Sequence, residues 1–396
     1  MLNENSVRLF LRTISTMKKI FILLTAITFV LMISSCKHQG NGSNQNMDTT
    51  KEKLADSAQA QLHFPGEKHL KNVRQLTFGG DNAEAYWSFD GKKIVFQRTD
   101  HQQYHCDQIF WGNVDSLLND TTSQRPFLFH LESTGKGRTT CAAFLPGDSL
   151  ILYASTHATA DTCPPVVDRT KIGKYVWPVY NSYEIYIADL QGHIRKQLTK
   201  NNYYDAEATL SPKGDKIIFT SDRDGDLDLY EMNLDGSNVK RITHTLGYDG
   251  GAWFSPDGNK IVWRCSRPAQ VEEKNEYRRL LKNQLVMPTK LQIWVANADG
   301  SDAHQVTELN GANWAPMFTP DGNKILFSSN LNYSKGYPFD LFLVNLDGSG
   351  LEQVTFSNTF EAFPMFSHDG KHLIWCGDRN DHGTHDVNIF IADWIP

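Results

Sequence analysis

From about residue 69 onward, short apolar runs alternate with polar turns along the chain. Five stretches share one pattern: AYWSFDGKKIVF from Ala85, ATLSPKGDKIIF from Ala208, AWFSPDGNKIVW from Ala252, PMFTPDGNKILF from Pro316 and PMFSHDGKHLIW from Pro364. In each, an aromatic or apolar run meets Ser-Pro-Asp-Gly or a close relative, and a β-branched or aromatic run follows. The pattern predicts a hairpin, because glycine in Asp90-Gly91, Asp257-Gly258, Asp321-Gly322 and Asp369-Gly370 adopts the positive φ of a tight turn without a Cβ clash. Lys213-Gly214 takes that place in the Ala208 copy. A second hairpin lies downstream: LDLYEMNLDGSNVKRIT ending at Thr243, LQIWVANADGSDAHQVT at Thr307 and FDLFLVNLDGSGLEQVT at Thr355. Four strands in about 45 to 60 residues are the dimensions of a propeller blade. Helical solenoids are excluded, since no 3.6-residue periodicity runs through the units.

A degenerate copy, TTCAAFLPGDSLILYAS from Thr139, turns at Pro146-Gly147-Asp148, and YEIYIADLQGHIRKQLT ending at Thr199 is its second hairpin. Six units then start near Asn82, Thr139, Asp205, Asp249, Asn313 and Glu361. The last lacks a fourth strand, whereas KNVRQLT, from Lys71 to Thr77, precedes the first without a blade of its own. The expected fold is all-β, a six-bladed β-propeller over residues 67–396 whose N-terminal strand closes the last blade and removes the open edges. One helix interrupts blade four. Over Val271 to Met287, Tyr277, Leu280, Leu281 and Leu285 recur at helical spacing, with acids early and bases late.

Composition adds little to the fold but much to the location. The chain has 396 residues, of which 40% are hydrophobic and 11% aromatic, enough for one large domain. The repeats leave no room for a fused hydrolase, and there is no G-x-S-x-G nucleophile elbow. Lys18 and Lys19 precede an apolar run from Ile20 to Ile33, too short to span a bilayer comfortably, and Ser34, Ser35 and Cys36 follow. Residues 1–35 therefore read as a signal peptide, with Met17 an alternative start. Residues 36–66 are rich in Gln, Asn, Ser, Thr and charge and read as a flexible tether. The net charge is -6, and loss of a segment whose Arg8, Arg12, Lys18 and Lys19 outnumber Glu4 leaves the mature chain more acidic still. A nucleic-acid partner is not expected.

The recurring SPDG turn, the following I-x-F or I-V-W run and the late NLDGS turn resemble the repeats of TolB-like β-propeller proteins, the WD40-like PD40 repeats. The resemblance implies a propeller, and it is weak on function because such repeats occur in scaffolds, sensors and beside peptidase domains. TolB itself carries an N-terminal α/β domain where this chain has a tether. The run ending at Cys36 resembles a bacterial lipoprotein signal, which implies cleavage before Cys36 and lipidation of its thiol. The chain is thus similar to TolB-like envelope lipoproteins, lipid-anchored and facing the periplasm or the outer surface.

Candidate chemistry lies where residues depart from the repeat. Aligned units place Asn82, Thr139, Asp205, Asp249, Asn313 and Glu361 at the channel mouth, with Glu84 and Glu207 two positions further along. Carboxylates sharing one funnel would favour a cation or a basic group; bracing of strand starts is the simpler account. His101, His105, His157, His382 and His385 fall in long loops of blades one, two and six and are candidate ligands for a divalent metal, against a set of solvent-facing loop residues. The run Asp222, Asp224, Asp226 and Asp228 lacks the glycine spacing of a calcium loop and reads as a charged turn. Cys106, Cys141 and Cys163 allow a disulfide, while Cys265 and Cys376 read as buried thiols. The helix around Tyr277 and the aromatic loop from Thr156 to Tyr183 are candidates for a lid or a docking face. The expected function is non-catalytic: a monomeric scaffold without a required cofactor that binds an envelope protein, peptide or glycan. The alternative is a metal-dependent lyase or hydrolase with its site in the channel.

Overall fold

The computed structural model describes residues 62–100, 102–118, 127–333, 336–380 and 383–396. They form six four-stranded antiparallel sheets and one two-stranded sheet. Blade 1 runs from Asp81–Trp87 to Phe129–Leu131, blade 2 from Thr139–Phe144 to Ile194–Gln197 and blade 3 from Asp205–Leu210 to Lys240–Arg241. Blade 4 runs from Asp249–Phe254 to His304–Gln305 and blade 5 from Asn313–Phe318 to Glu352–Gln353. In blade 6 the strands Glu361–Phe366, His372–Gly377 and Asn388–Trp394 are completed by Leu70–Gln75, which pairs antiparallel with the C-terminal strand. The N-terminal strand therefore closes the ring, as the orphan KNVRQLT segment predicts.

The turn motif holds by a small hydrogen-bond circuit. In blade 4 the Ser255 hydroxyl donates to Asp257 at 2.6 Å and accepts from the Lys260 amide at 2.9 Å, and Asp257 also accepts from the Asn259 amide. Gly258 sits at φ 74° between them. Thr319 and Asp321 repeat this in blade 5, and Ser367 and Asp369 in blade 6. In the degenerate blade 2 the carboxylate of Asp148 turns outward instead and accepts from the amides of Phe89 and Asp90 in blade 1. One large ring per blade anchors the core. Phe96, Tyr153, Phe219, Trp263, Phe327 and Trp375 hold the same place in the six second strands and are all fully buried.

Two expectations shift. The helix covers Val271–Leu281 rather than running to Met287; Gln284 takes a positive φ of 56°, and Leu285–Val286 then pair as a strand with Trp177–Pro178 of the blade 2 loop. The folded part also begins earlier than the tether boundary at residue 66. Leu62 is buried, and its carbonyl accepts from Arg379 at 2.6 Å. Apart from those last five tether positions, the signal peptide, the tether and Cys36 lie outside the described residues. No helix among the described residues is long and apolar enough to cross a membrane.

Candidate functional site: a capped cavity at the channel mouth

The six innermost strands share one irregularity. Each changes register two residues in, between Ala83 and Tyr86, Thr140 and Ala143, Ala206 and Thr209, Gly250 and Trp253, Trp314 and Met317, and Ala362 and Met365. The residue that absorbs the bulge has positive φ in every blade: Glu84, Cys141, Glu207, Gly251, Ala315 and Phe363. Only Gly251 accepts that conformation freely, so five blades carry a strained side chain at the same height of the channel. The bulge is thus a feature of the repeat itself and turns the side chain at that position out of the strand alternation.

Glu84, Cys141, Glu207 and Phe363 line a cavity of about 1380 Å³ at the mouth of the channel. Its floor is polar. Glu207 accepts from Arg264 at 2.7 Å, Tyr248 at 2.7 Å, Thr220 at 2.8 Å and the Gly251 amide at 2.8 Å, which ties blade 3 to blade 4. Arg264 fits because blade 4 reads Gly250-Gly251 where other blades carry side chains: a Cβ on Gly251 would collide with the guanidinium, and one on Gly250 with Glu207. Glu84 accepts from the Tyr86 hydroxyl at 3.3 Å, and burial raises its carboxyl above the ordinary value. Burial likewise pushes the Cys141 thiol well up, so it stays protonated.

The walls are aromatic. Trp177 packs on Trp314 with ring centroids 4.9 Å apart, Trp314 stacks on Phe339 at 4.2 Å, and Tyr337 lies parallel to Phe360 at 6.1 Å. Tyr183, Tyr204 and Tyr248 line the other side. Trp177 comes from the long blade 2 loop and reaches the cavity through the two-stranded sheet it shares with the blade 4 insert. Lys174 pairs with Glu276 at 2.6 Å, and Tyr277 donates to Asp226 at 2.5 Å, fastening the insert to blades 2 and 3. The helix and the aromatic loop thus form one cap that arches from blade 2 to blade 4. A disulfide between Cys106 and Cys163 anchors the near end of that loop to blade 1, leaving Cys141 free, and Cys265 and Cys376 are buried free thiols.

The other sequence candidates are placed as follows. Asn82, Thr139, Asp205, Asp249, Asn313 and Glu361 are all buried, and none lines the cavity. Each is held beside its own strand start: Asn82 by Arg98 and the Val387 carbonyl, Thr139 by the Asp107 carbonyl, and Asn313 by Ser329 and the Leu291 carbonyl. Asp205 pairs with Arg223 at 2.8 Å, Asp249 with Arg267 at 2.7 Å and Glu361 with Arg379 at 2.9 Å. They brace the strands. Of the histidines, His157 bonds Ser155 at 2.8 Å and packs on Tyr186, while His105 and His385 are exposed. His101 and His382 lie outside the described residues, among which no group of three or more His, Cys, Asp or Glu is placed to hold a metal ion. Asp222 and Asp224 flank the turn at Gly225, whereas Asp226 and Asp228 are buried, Asp226 accepting from the Gly247 amide and Asp228, at the start of a strand, from Arg241.

Trp177 belongs to the aromatic loop that the sequence marks as a candidate binding surface, whereas sequence reasoning missed Arg264 and Tyr248. A signal for Arg264 was present, since it follows the buried aromatic where the other blades read Gln97, Ala154, Thr220, Ser328 and Cys376, opposite the unusual Gly-Gly.

A six-bladed β-propeller with a capped cavity at one end of its channel is the class these features define. Residues 179–280 match the TolB beta propeller domain family. The repeats on either side of that match complete the same six-bladed ring. No curated protein matches it. Among solved structures it is similar to a putative TolB from Agrobacterium tumefaciens, at 20% identity over 80% of this chain and 91% of that one, with a TM-score of 0.49. TolB from Acinetobacter baumannii is 18% identical over 69% of this chain and 54% of that one, with a TM-score of 0.47. An oligogalacturonate lyase from Vibrio parahaemolyticus is 14% identical over 81% and 93%, with a TM-score of 0.47.

Proposed function

We propose that this protein is a binding module of the bacterial envelope, tethered by lipid at Cys36, and that its cavity holds a segment of an oligosaccharide without cleaving it. The observation that carries the reading is the lining of the cavity. Aromatic rings of Trp177, Phe360 and Phe363 line it together with Asn310, Asn330, Asn332, Thr140 and Gln97. Sugar rings present apolar C–H faces and polar edges, so a site that mixes ring faces with amides and hydroxyls satisfies both. The volume of about 1380 Å³ exceeds the usual range for one small molecule, which suits several linked units.

Titration of the protein with envelope and extracellular glycan fragments is expected to shift its tryptophan emission, since Trp177 borders the cavity and Trp314 packs against it. Trp177→Ala is expected to lower affinity roughly five- to tenfold by removing one stacking face. Release of shortened or unsaturated products during the titration would replace binding by catalysis. For the anchor, Cys36→Ser is expected to abolish incorporation of labelled fatty acid into the protein; labelling that survives the substitution would remove lipidation at Cys36 from the reading.

A further inference from the structure

The two carboxylates on the cavity floor differ in how the protein satisfies them. Glu207 accepts four hydrogen bonds and faces the guanidinium of Arg264 at 2.7 Å. Glu84 receives only neutral donors, the Tyr86 hydroxyl at 3.3 Å and the Cys141 thiol. A carboxylate offers about four lone-pair sites, so Glu84 retains acceptor capacity. Of the arginines that line the cavity, Arg138 pairs with Asp107 at 3.5 Å, and Arg264, the cation that acts on Glu84, is committed to Glu207 at 2.7 Å. The strained φ of 52° at Glu84 is kept at the height where the channel opens into the cavity. Tyr183, Tyr204, Tyr248 and Trp177 surround this space, and the faces of such rings attract an ammonium group.

Resting on the oligosaccharide reading above and narrowing it, we infer that the cavity takes an amino-sugar oligosaccharide, one of whose protonated amines docks on the Glu84 carboxylate. The charge-assisted bond supplies what Tyr86 and Cys141 do not, and it favours the ionised carboxylate that burial disfavours. An acidic oligosaccharide would instead bring a second negative charge to the site. The groups facing Glu84 are Tyr86, Cys141, Cys376, Glu207 and Arg264. Burial pushes Tyr86 and the two thiols upward, so they stay neutral near pH 7, and Arg264 stays charged against Glu207. Glu84 and the amine are then the partners whose charge sets affinity, and binding weakens as acid protonates the carboxylate.

The test is calorimetric titration with glucosamine tetramer and with its fully N-acetylated counterpart. The amine form is expected to bind about tenfold more tightly at the pH where its amines are protonated and Glu84 is ionised, so the preference passes through a maximum and falls on the acid side as the carboxylate is protonated and on the basic side as the amines lose their charge. Glu84→Gln is expected to abolish the preference by bringing the amine form down to the affinity of the acetylated one, with an unchanged thermal unfolding midpoint showing that the variant is folded. Equal affinity of the two oligomers for the native protein, or a preference that survives in the variant, overturns the role of Glu84 and leaves the oligosaccharide reading standing. Failure of both oligomers to bind overturns that reading too, and Glu84-dependent binding of a lysine tripeptide in their place assigns the cavity to a peptide.

Discussion

Replacing Arg379 with alanine is expected to lower the free energy of unfolding by about 3 to 5 kcal/mol, the range for removing one partner of a buried charge network. The side chains of Arg379, Glu361 and Glu67 are all 0% exposed. The guanidinium bonds Glu361 at 2.9 Å, Glu67 at 3.1 Å and the Leu62 carbonyl at 2.6 Å, and its plane packs 4.9 Å from the Trp375 ring. Alanine would leave two buried carboxylates without a counter-charge. It would also release the segment that leads into the closing strand Leu70–Gln75, so blade 6 would lose a contact on which ring closure depends. Urea unfolding followed by tryptophan emission measures the loss, and a change below about 1 kcal/mol, the size of a surface pair, would refute the role. The double variant Glu361→Gln with Arg379→Met should recover part of the loss, because it removes an unpaired charge as well as its partner.

Glu132 is expected to make the protein less stable as pH rises. It is 0% exposed, neither carboxylate oxygen has a hydrogen-bond partner among the described residues, and Asp189 lies near enough to add to the effect of burial. Its carboxyl is pushed up to about 8. The folded state therefore holds a proton that the unfolded chain releases near pH 4.5, so the associated stability is complete below that pH and is lost as pH rises toward 8. At pH 7 the loss is roughly 3 kcal/mol, from about 1.4 kcal/mol per pH unit. Glu132→Gln, which keeps the shape of the protonated acid, should remove that slope, so that variant and native protein diverge between about pH 5 and 8. Asp228, Asp249 and Asp340 are also raised by burial and bend the native curve the same way, but they cancel in the difference between the two proteins. Parallel curves across that range would show that Glu132 is ionised in the folded state.

The site was partly legible before the structure. Glu84 and Glu207 depart from the repeat in sequence, and both line the cavity. The six residues at the strand starts stand out in the same alignment, yet their side chains brace the strands. The repeat alignment places both sets near the channel mouth but cannot tell a side chain turned toward a blade neighbour from one turned toward the opening. That distinction comes from the bulge at Glu84 and its five counterparts, where a change in φ redirects the chain. The loop histidines illustrate the opposite limit. Shared location on one face of the ring does not give converging donors, and His157 finds its partners in Ser155 and the Tyr186 ring of its own blade.

What the sequence by itself determined is the scaffold. Blade number, hairpin turns, ring closure by Lys71 to Thr77 and the buried aromatic of each second strand follow from local rules, since turn chemistry and strand alternation act over a few residues and repeat. What only the tertiary structure decided is the cavity. Its cap joins Trp177 to Leu285–Val286 across blade 3, its floor pairs Glu207 with Arg264 from the next blade, and Cys106 chooses Cys163 over Cys141. Each of these links residues tens of positions apart through contacts that no local pattern encodes, and the repeats themselves are silent on them because the cap and the floor are built where the repeats differ.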